Sequence, residues 1–97
     1  MTAVKLKVEL SYGNEIGPGK IELLEHIAAA GSIAAAAKRM QMSYKRVWDL
    51  IEELNRGFQQ PVISVQRGGP KGGGASLTQT GALIVQNYRA IEAITIS

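Results

Sequence analysis

The sequence predicts a mainly helical α+β domain, and three observations carry that prediction. Apolar residues recur with helical period in four stretches, and Ser32, Ser43 and Thr78 stand where three of those stretches begin, as helix-capping residues do. Short strand-like stretches lie ahead of the first helix and between the third and the fourth. The composition is 45% apolar but only 5% aromatic, with many alanines, which favours closely packed short helices over a wide sandwich. A chain of 97 residues is the size of one ordinary domain with a modest core. We therefore expect residues 1–97 to form a single domain.

The elements follow in order. Val4 to Leu10 alternates apolar and polar residues, the period of a half-buried strand. Asn14 to Gly19 is rich in turn-formers and should end it. Lys20 to Ala30 places Ile21, Leu24, Ile27 and Ala28 on one helical face, with Leu23 at its edge. Pro18 suits the first turn of that helix and Gly31 its stop. Ser32 caps a short second helix with the buried stripe Ile33, Ala36, Ala37 and Met40. After the brief connection Gln41-Met42, Ser43 caps a third helix from Tyr44 to about Phe58. Its core face is Val47, Leu50, Ile51, Leu54 and Phe58.

Pro61 prevents continuation of the third helix. Val62 to Arg67 and Ala75 to Leu77 are short strand candidates around a loop with five glycines in seven residues, Gly68 to Gly74. Together they predict a hairpin with a long basic tip. Thr78 caps a last helix to about Ile94, with the stripe Leu83, Ile84, Asn87, Tyr88, Ile91 and Ile94.

Two short helices joined by a tight turn form a helix-turn-helix unit, and a hairpin after it is a wing. The full expectation is a winged helix-turn-helix with an N-terminal strand, a two-stranded wing and a C-terminal dimerisation helix. In such a unit the second helix lies in the major groove, with its N-terminal residues at the base edges. Here residues 43–58 form that helix, and it begins Ser43-Tyr44-Lys45-Arg46-Val47-Trp48-Asp49.

Charge agrees with this. The net charge is only +3, but residues 38–71 hold seven basic side chains against three acidic ones, a footprint expected of a polyanion binder. Lys45, Asp49 and Arg56 point away from the core face at 100° per residue, with Arg46 and Trp48 on the flanks. Lys45 and Arg46 can donate to guanine or phosphate, and Ser43 can both cap the helix and touch phosphate. Cations near a helix N-terminus oppose its dipole, a cost that contact with DNA explains. Trp48 either stays half-buried or reaches a base or sugar.

The residues Gly31-Ser32-Ile33 with Ala34 to Ala37, then Met42-Ser43-Tyr44-Lys45-Arg46 and Trp48-Asp49-Leu50, carry a family resemblance. Gly17-Pro18-Gly19-Lys20 and the glycine-rich stretch followed by Leu77-Thr78 and Gly81 extend it. Together they closely resemble the N-terminal domain of ModE-type molybdenum-responsive regulators, within the wider LysR-type relation. The resemblance runs from about Gly17 to Ile91 and implies a winged helix-turn-helix that dimerises and binds DNA. Gln41 stands where that family usually has glycine, at a cost on the order of 1 kcal/mol if the residue is left-handed. ModE-type proteins that sense molybdate carry C-terminal oxyanion-binding domains, whereas this sequence ends at Ser97. The expectation is a DNA-binding half standing alone, without molybdate binding and without a cofactor.

The expected DNA-contacting residues are Ser32, Ser43, Tyr44, Lys45, Arg46, Trp48 and Asp49, with Arg67 and Lys71 in the glycine-rich wing, residues 67–76. There the wing meets the backbone or minor groove. The expected dimer contacts are Leu83, Ile84, Tyr88, Ile91 and Ile94. A second reading stays open: a protein-interaction or dimerisation module on the same scaffold, which would call for an apolar third-helix face.

Other chemistries find no support. The absence of cysteine excludes disulfides and thiolate metal sites. His26 is a lone histidine four residues after Glu22, read as a solvated surface pair. Glu52 and Glu53 are adjacent on a helix and do not face each other. The glycine-rich loop lacks the Lys-Ser/Thr ending of a phosphate-binding loop. We expect no enzyme. The N-terminal stretch lacks the apolar run of a signal peptide, and no apolar run approaches the length of a membrane span, so a cytoplasmic protein is expected.

Overall fold

Pro18 opens the first helix, α1 (Pro18–Ala30), where its fixed φ suits a first turn. The computed structural model describes residues 8–9, 15–66 and 74–96, with side chains from 16–66 and 74–94. Among the described residues the order is β1 (Val8–Glu9), β2 (Glu15–Ile16), α1, α2 (Ile33–Met40), α3 (Tyr44–Arg56), β3 (Ile63–Gln66), β4 (Gly74–Leu77) and α4 (Gln79–Ile96). This is the mainly helical winged helix-turn-helix that the sequence predicts. The remaining positions of the predicted first strand, and residues 67–73 of the wing, lie outside the described residues.

Two differences appear at the start. The stretch read as a turn contains β2, which pairs antiparallel with β1 through Val8 opposite Ile16 and Glu9 opposite Glu15. The first strand therefore pairs within its own chain. The second difference lies on α1, where Ala28 is exposed and Leu23 is fully buried. The burial of Leu23 follows from the contacts of α1 with α2, α3, α4 and β4, since a helix covered from several sides buries a wider arc than a single stripe. Nothing in the structure explains the exposure of Ala28.

Local signals set the helix joints. Gly31 ends α1 in the left-handed region at φ 79°, and its N–H bonds to the Ile27 carbonyl. Its own carbonyl accepts from the Ala75 N–H at 2.9 Å, which ties this joint to β4. The Ser32 hydroxyl then accepts from the Ala35 N–H at 3.1 Å and caps α2. At the other end Gln41 is left-handed at φ 56°. The Gln41 N–H bonds to Lys38 and the Met42 N–H to Ala37, the double closure of a Schellman motif. The Ser43 hydroxyl accepts from the Arg46 N–H at 3.0 Å and starts α3. That helix stops at Arg56, two residues before its expected end; Phe58 still packs on the core from the following turn.

The core joins all layers: Ile21, Leu23, Leu24 and Ile27 of α1, Ile33, Ala36 and Ala37 of α2, and Val47, Ile51 and Leu54 of α3. Val62, Ile63 and Ala75 close it from the hairpin, and Tyr88 from α4. Each fully buried Leu, Ile or Val contributes about 1.5–3 kcal/mol relative to exposure.

The wing strands pair antiparallel from Ile63 opposite Leu77 to Gln66 opposite Gly74. Asn55 fastens them to α3. Its Oδ1 accepts from the N–H groups of Val62 (2.9 Å) and Ile63 (3.2 Å), and its Nδ2 donates to the Ile63 carbonyl (3.3 Å). Thr78 fastens α4: its hydroxyl donates to the Pro61 carbonyl at 2.6 Å and accepts from the Gly81 N–H at 3.1 Å. Further along α4, Arg89 grips Glu25 of α1 with Nε at 3.1 Å and Nη2 at 2.6 Å, while Nη1 bonds Glu92 at 2.7 Å. The Arg89 hydrogen bonds hold the Glu25 carboxyl below the usual carboxylate range, against the upward pull of partial burial. Burial pushes the neighbouring Tyr88 phenol up, and the Glu92 charge adds to the effect.

Candidate nucleic-acid interface

The exposed side of α3 is built by periodicity. Val47, Ile51 and Leu54 turn inward and are buried, so Lys45, Arg46, Asp49, Glu52 and Arg56 are left outside. Ser43 and Tyr44 are exposed at the head of the helix, and Trp48 is half-buried on its flank. Tyr44 meets Trp48 edge-on, with ring centroids 6.4 Å apart at 68°. Lys45 Nζ donates to Asp49 Oδ2 at 3.1 Å, with side chains 85% and 50% exposed. All six α3 and cap positions predicted to contact DNA thus share the first two turns of this helix and its cap. Ser32 sits apart from them, half-buried at the start of α2.

The rest of the surface frames this face. Lys38 and Arg39 are exposed in the last turn of α2, where cations suit the helix dipole. The described partner of His26 is Arg39, whose Nε donates to the imidazole Nδ1 at 3.3 Å; the sequence pointed to Glu22. Lys20 pairs with Glu53 at 3.0 Å and links α1 to α3. An open groove of about 500 Å³ separates α3 from β3, with Trp48, Glu52, Arg56 and Val65 on its walls. Arg67 and Lys71 lie outside the described residues.

The five expected dimer residues divide into two sets. Tyr88 is buried in the chain's own core, and Ile84 is half-buried against it together with Val85. Leu83, Ile91 and Ile94 are 49%, 48% and 74% exposed. The sequence merged these sets because neighbouring helical faces overlap in a 100° projection. Sequence reading also missed Asn55 and the Arg89–Glu25 grip, whose partners are set by tertiary folding.

The arrangement defines a class: a winged helix-turn-helix domain whose third helix presents a charged face at its N-terminal end. Comparison with known proteins agrees. Residues 19–82 match the family of bacterial regulatory helix-turn-helix proteins, lysR family, and the chain belongs to that family. It is 40% identical over 96 residues to the molybdenum transport protein ModE of Azotobacter vinelandii, covering 95% of this chain and 36% of that protein. It is 35% identical over 91 residues to the transcriptional regulator ModE of Haemophilus influenzae, covering 94% and 36%. It is 44% identical over 71 residues to the DNA-binding transcriptional dual regulator ModE of Escherichia coli, covering 73% and 27%. The chain thus spans about a third of the length of these relatives and fits the N-terminal domain of ModE-type regulators.

Proposed function

We propose that this chain is a sequence-specific DNA-binding domain of a transcriptional regulator and that it works as a twofold homodimer. Its α3 enters the major groove, and the glycine-rich wing follows the backbone or minor groove. The observation that carries this is the exposed start of α3, where Lys45 and Arg46 stand in the first turn with no acidic residue beside them there. This placement opposes the helix dipole and suits guanine or phosphate acceptors. The charged character of the face weighs against the protein-interaction reading. Family membership and relatives named as transcriptional regulators support the same conclusion. In this proposal Ser43, Tyr44 and Trp48 add phosphate, sugar or base contacts, Ser32 adds a further contact from the start of α2, and Arg67 and Lys71 contact phosphate. Leu83, Ile91 and Ile94 supply the dimer contact. Molybdate binding is not assigned to this chain.

The test is titration of labelled duplex selected by the purified chain. Lys45→Ala and Arg46→Ala should each weaken specific binding by about 1–3 kcal/mol while the fold is kept. Unchanged affinity in both variants would remove α3 from the interface.

A further inference from the structure

Asp49 is the only acidic residue in the first two turns of α3, residues 44–51. It stands on the exposed face, bonded to Lys45 at 3.1 Å. Helix stability does not account for this pair. Lysine ahead of an acid at i,i+4 is the weaker order, and the lysine lies in the turn where a cation is disfavoured. A carboxylate turned toward DNA also costs affinity, because it faces a polyanion and loses water, unless a base-edge donor satisfies it.

We propose that the Lys45–Asp49 pair reads one G·C base pair in the major groove, with the ammonium on guanine and the carboxylate on cytosine. The inference rests on the DNA-binding reading of α3. The major-groove edge of G·C presents two adjacent acceptors, guanine N7 and O6, and then one donor, cytosine N4. Guanine O6 and cytosine N4 are themselves hydrogen-bonded in the base pair, about 2.9 Å apart. A side-chain donor and acceptor held 3.1 Å apart match that spacing, so one ion pair can span the two bases without being broken.

The flanking groups decide among the other pairs. A T·A pair offers the same central acceptor and donor, thymine O4 and adenine N6. It then sets the thymine methyl against the ammonium and adenine N7, an acceptor, against the carboxylate. A·T and C·G reverse the central order, so like meets like. Asp49 thus acts chiefly by rejection: it lowers affinity wherever no amino group answers it, which is how specificity is commonly gained at a polyanion surface.

The experiment is selection from a random duplex library with the wild-type chain, Asp49→Ala and Asp49→Asn, each checked for native helicity by circular dichroism. The wild type should select duplexes with a fixed G·C position, and exchanging that pair should weaken binding about ten- to a hundredfold. Asp49→Ala should lose the preference at that pair and keep the others. Asp49→Asn should shift it toward T·A, which places adenine under residue 49, since asparagine offers adenine N6 and N7 an acceptor and a donor together. A wild type that selects sequence while both variants select the same bases overturns the Lys45–Asp49 assignment and leaves the DNA-binding reading standing. A wild type that retains no duplex at all overturns both.

Discussion

Gln41 holds a left-handed conformation, φ 56°, that glycine adopts at lower cost. We expect Gln41→Gly to stabilise the chain by up to about 1 kcal/mol, part of the gain being offset by the greater freedom of glycine when unfolded. Chemical denaturation checks this, and a lower midpoint would show that the glutamine side chain contributes more than its strain costs. Gly81 is the opposite case. A Cβ there would overlap the Val62 carbonyl oxygen and lie 3.1 Å from its carbon. Gly81→Ala should therefore destabilise by on the order of 1–3 kcal/mol, and unchanged stability would mean that α4 can shift freely on the hairpin. What was readable at this scale was local. Ser32, Ser43 and Thr78 were legible as caps because each bonds a backbone N–H three residues on. Asn55 was not, because its partners Val62 and Ile63 lie across a chain reversal that no spacing rule specifies.

At the scale of elements, the joint between α1 and α4 has a pH signature. Arg89 lowers the Glu25 carboxyl pKa in the folded chain by hydrogen bonding, relative to roughly 4.3 in an unfolded one. A depressed carboxylate pKa stabilises above the unfolded value, and that contribution is lost as pH falls through the folded value. Glu25→Gln should therefore flatten the acid limb of stability below about pH 4.3. The side chains are 39% and 38% exposed, so water screens the pair and the change should be modest. Thermal melts across acid pH decide it: parallel curves for wild type and Glu25→Gln would show that the grip has no linkage to folding. The sequence placed both residues in helices but could not pair positions 64 apart. The single stripe read on α4 divides in the fold: Ile84 and Tyr88 pack on the core, joined by Val85, whereas Leu83, Ile91 and Ile94 stay exposed. The two-residue β2 is too short for any periodicity to reveal. The helix-turn-helix itself was legible nearly to the residue, since periodicity and both caps agree there.

For the whole molecule, the proposed dimer depends on which face of α4 stays uncovered. Ile84, Val85 and Tyr88 are turned to the chain's own core. At 100° per residue, Leu83, Ile91 and Ile94 fall within about 80° of one another on a neighbouring face, and all three are exposed. An exposed apolar stripe along a helix, here crossed by Asn87 between Leu83 and Ile91, is what an interface offers. A twofold axis along it would let each α4 cover its counterpart, since an isologous contact buries the same patch on both chains. Two modules on one duplex bind more tightly than one through linkage, and the two α3 helices would then enter successive major grooves about 34 Å apart. The charge introduced by Ile91→Glu would lie against its symmetry mate and lose water without a partner. The fold should survive, because Ile91 is half exposed in the single chain. Sedimentation at micromolar concentration is the measurement. The wild type should sediment as a dimer and Ile91→Glu shift toward monomer, with weaker binding to a two-half-site duplex and little change on a single half-site. A wild type that stays monomeric both free and on DNA would show that the α4 face serves some other purpose and that each domain reads its half-site alone.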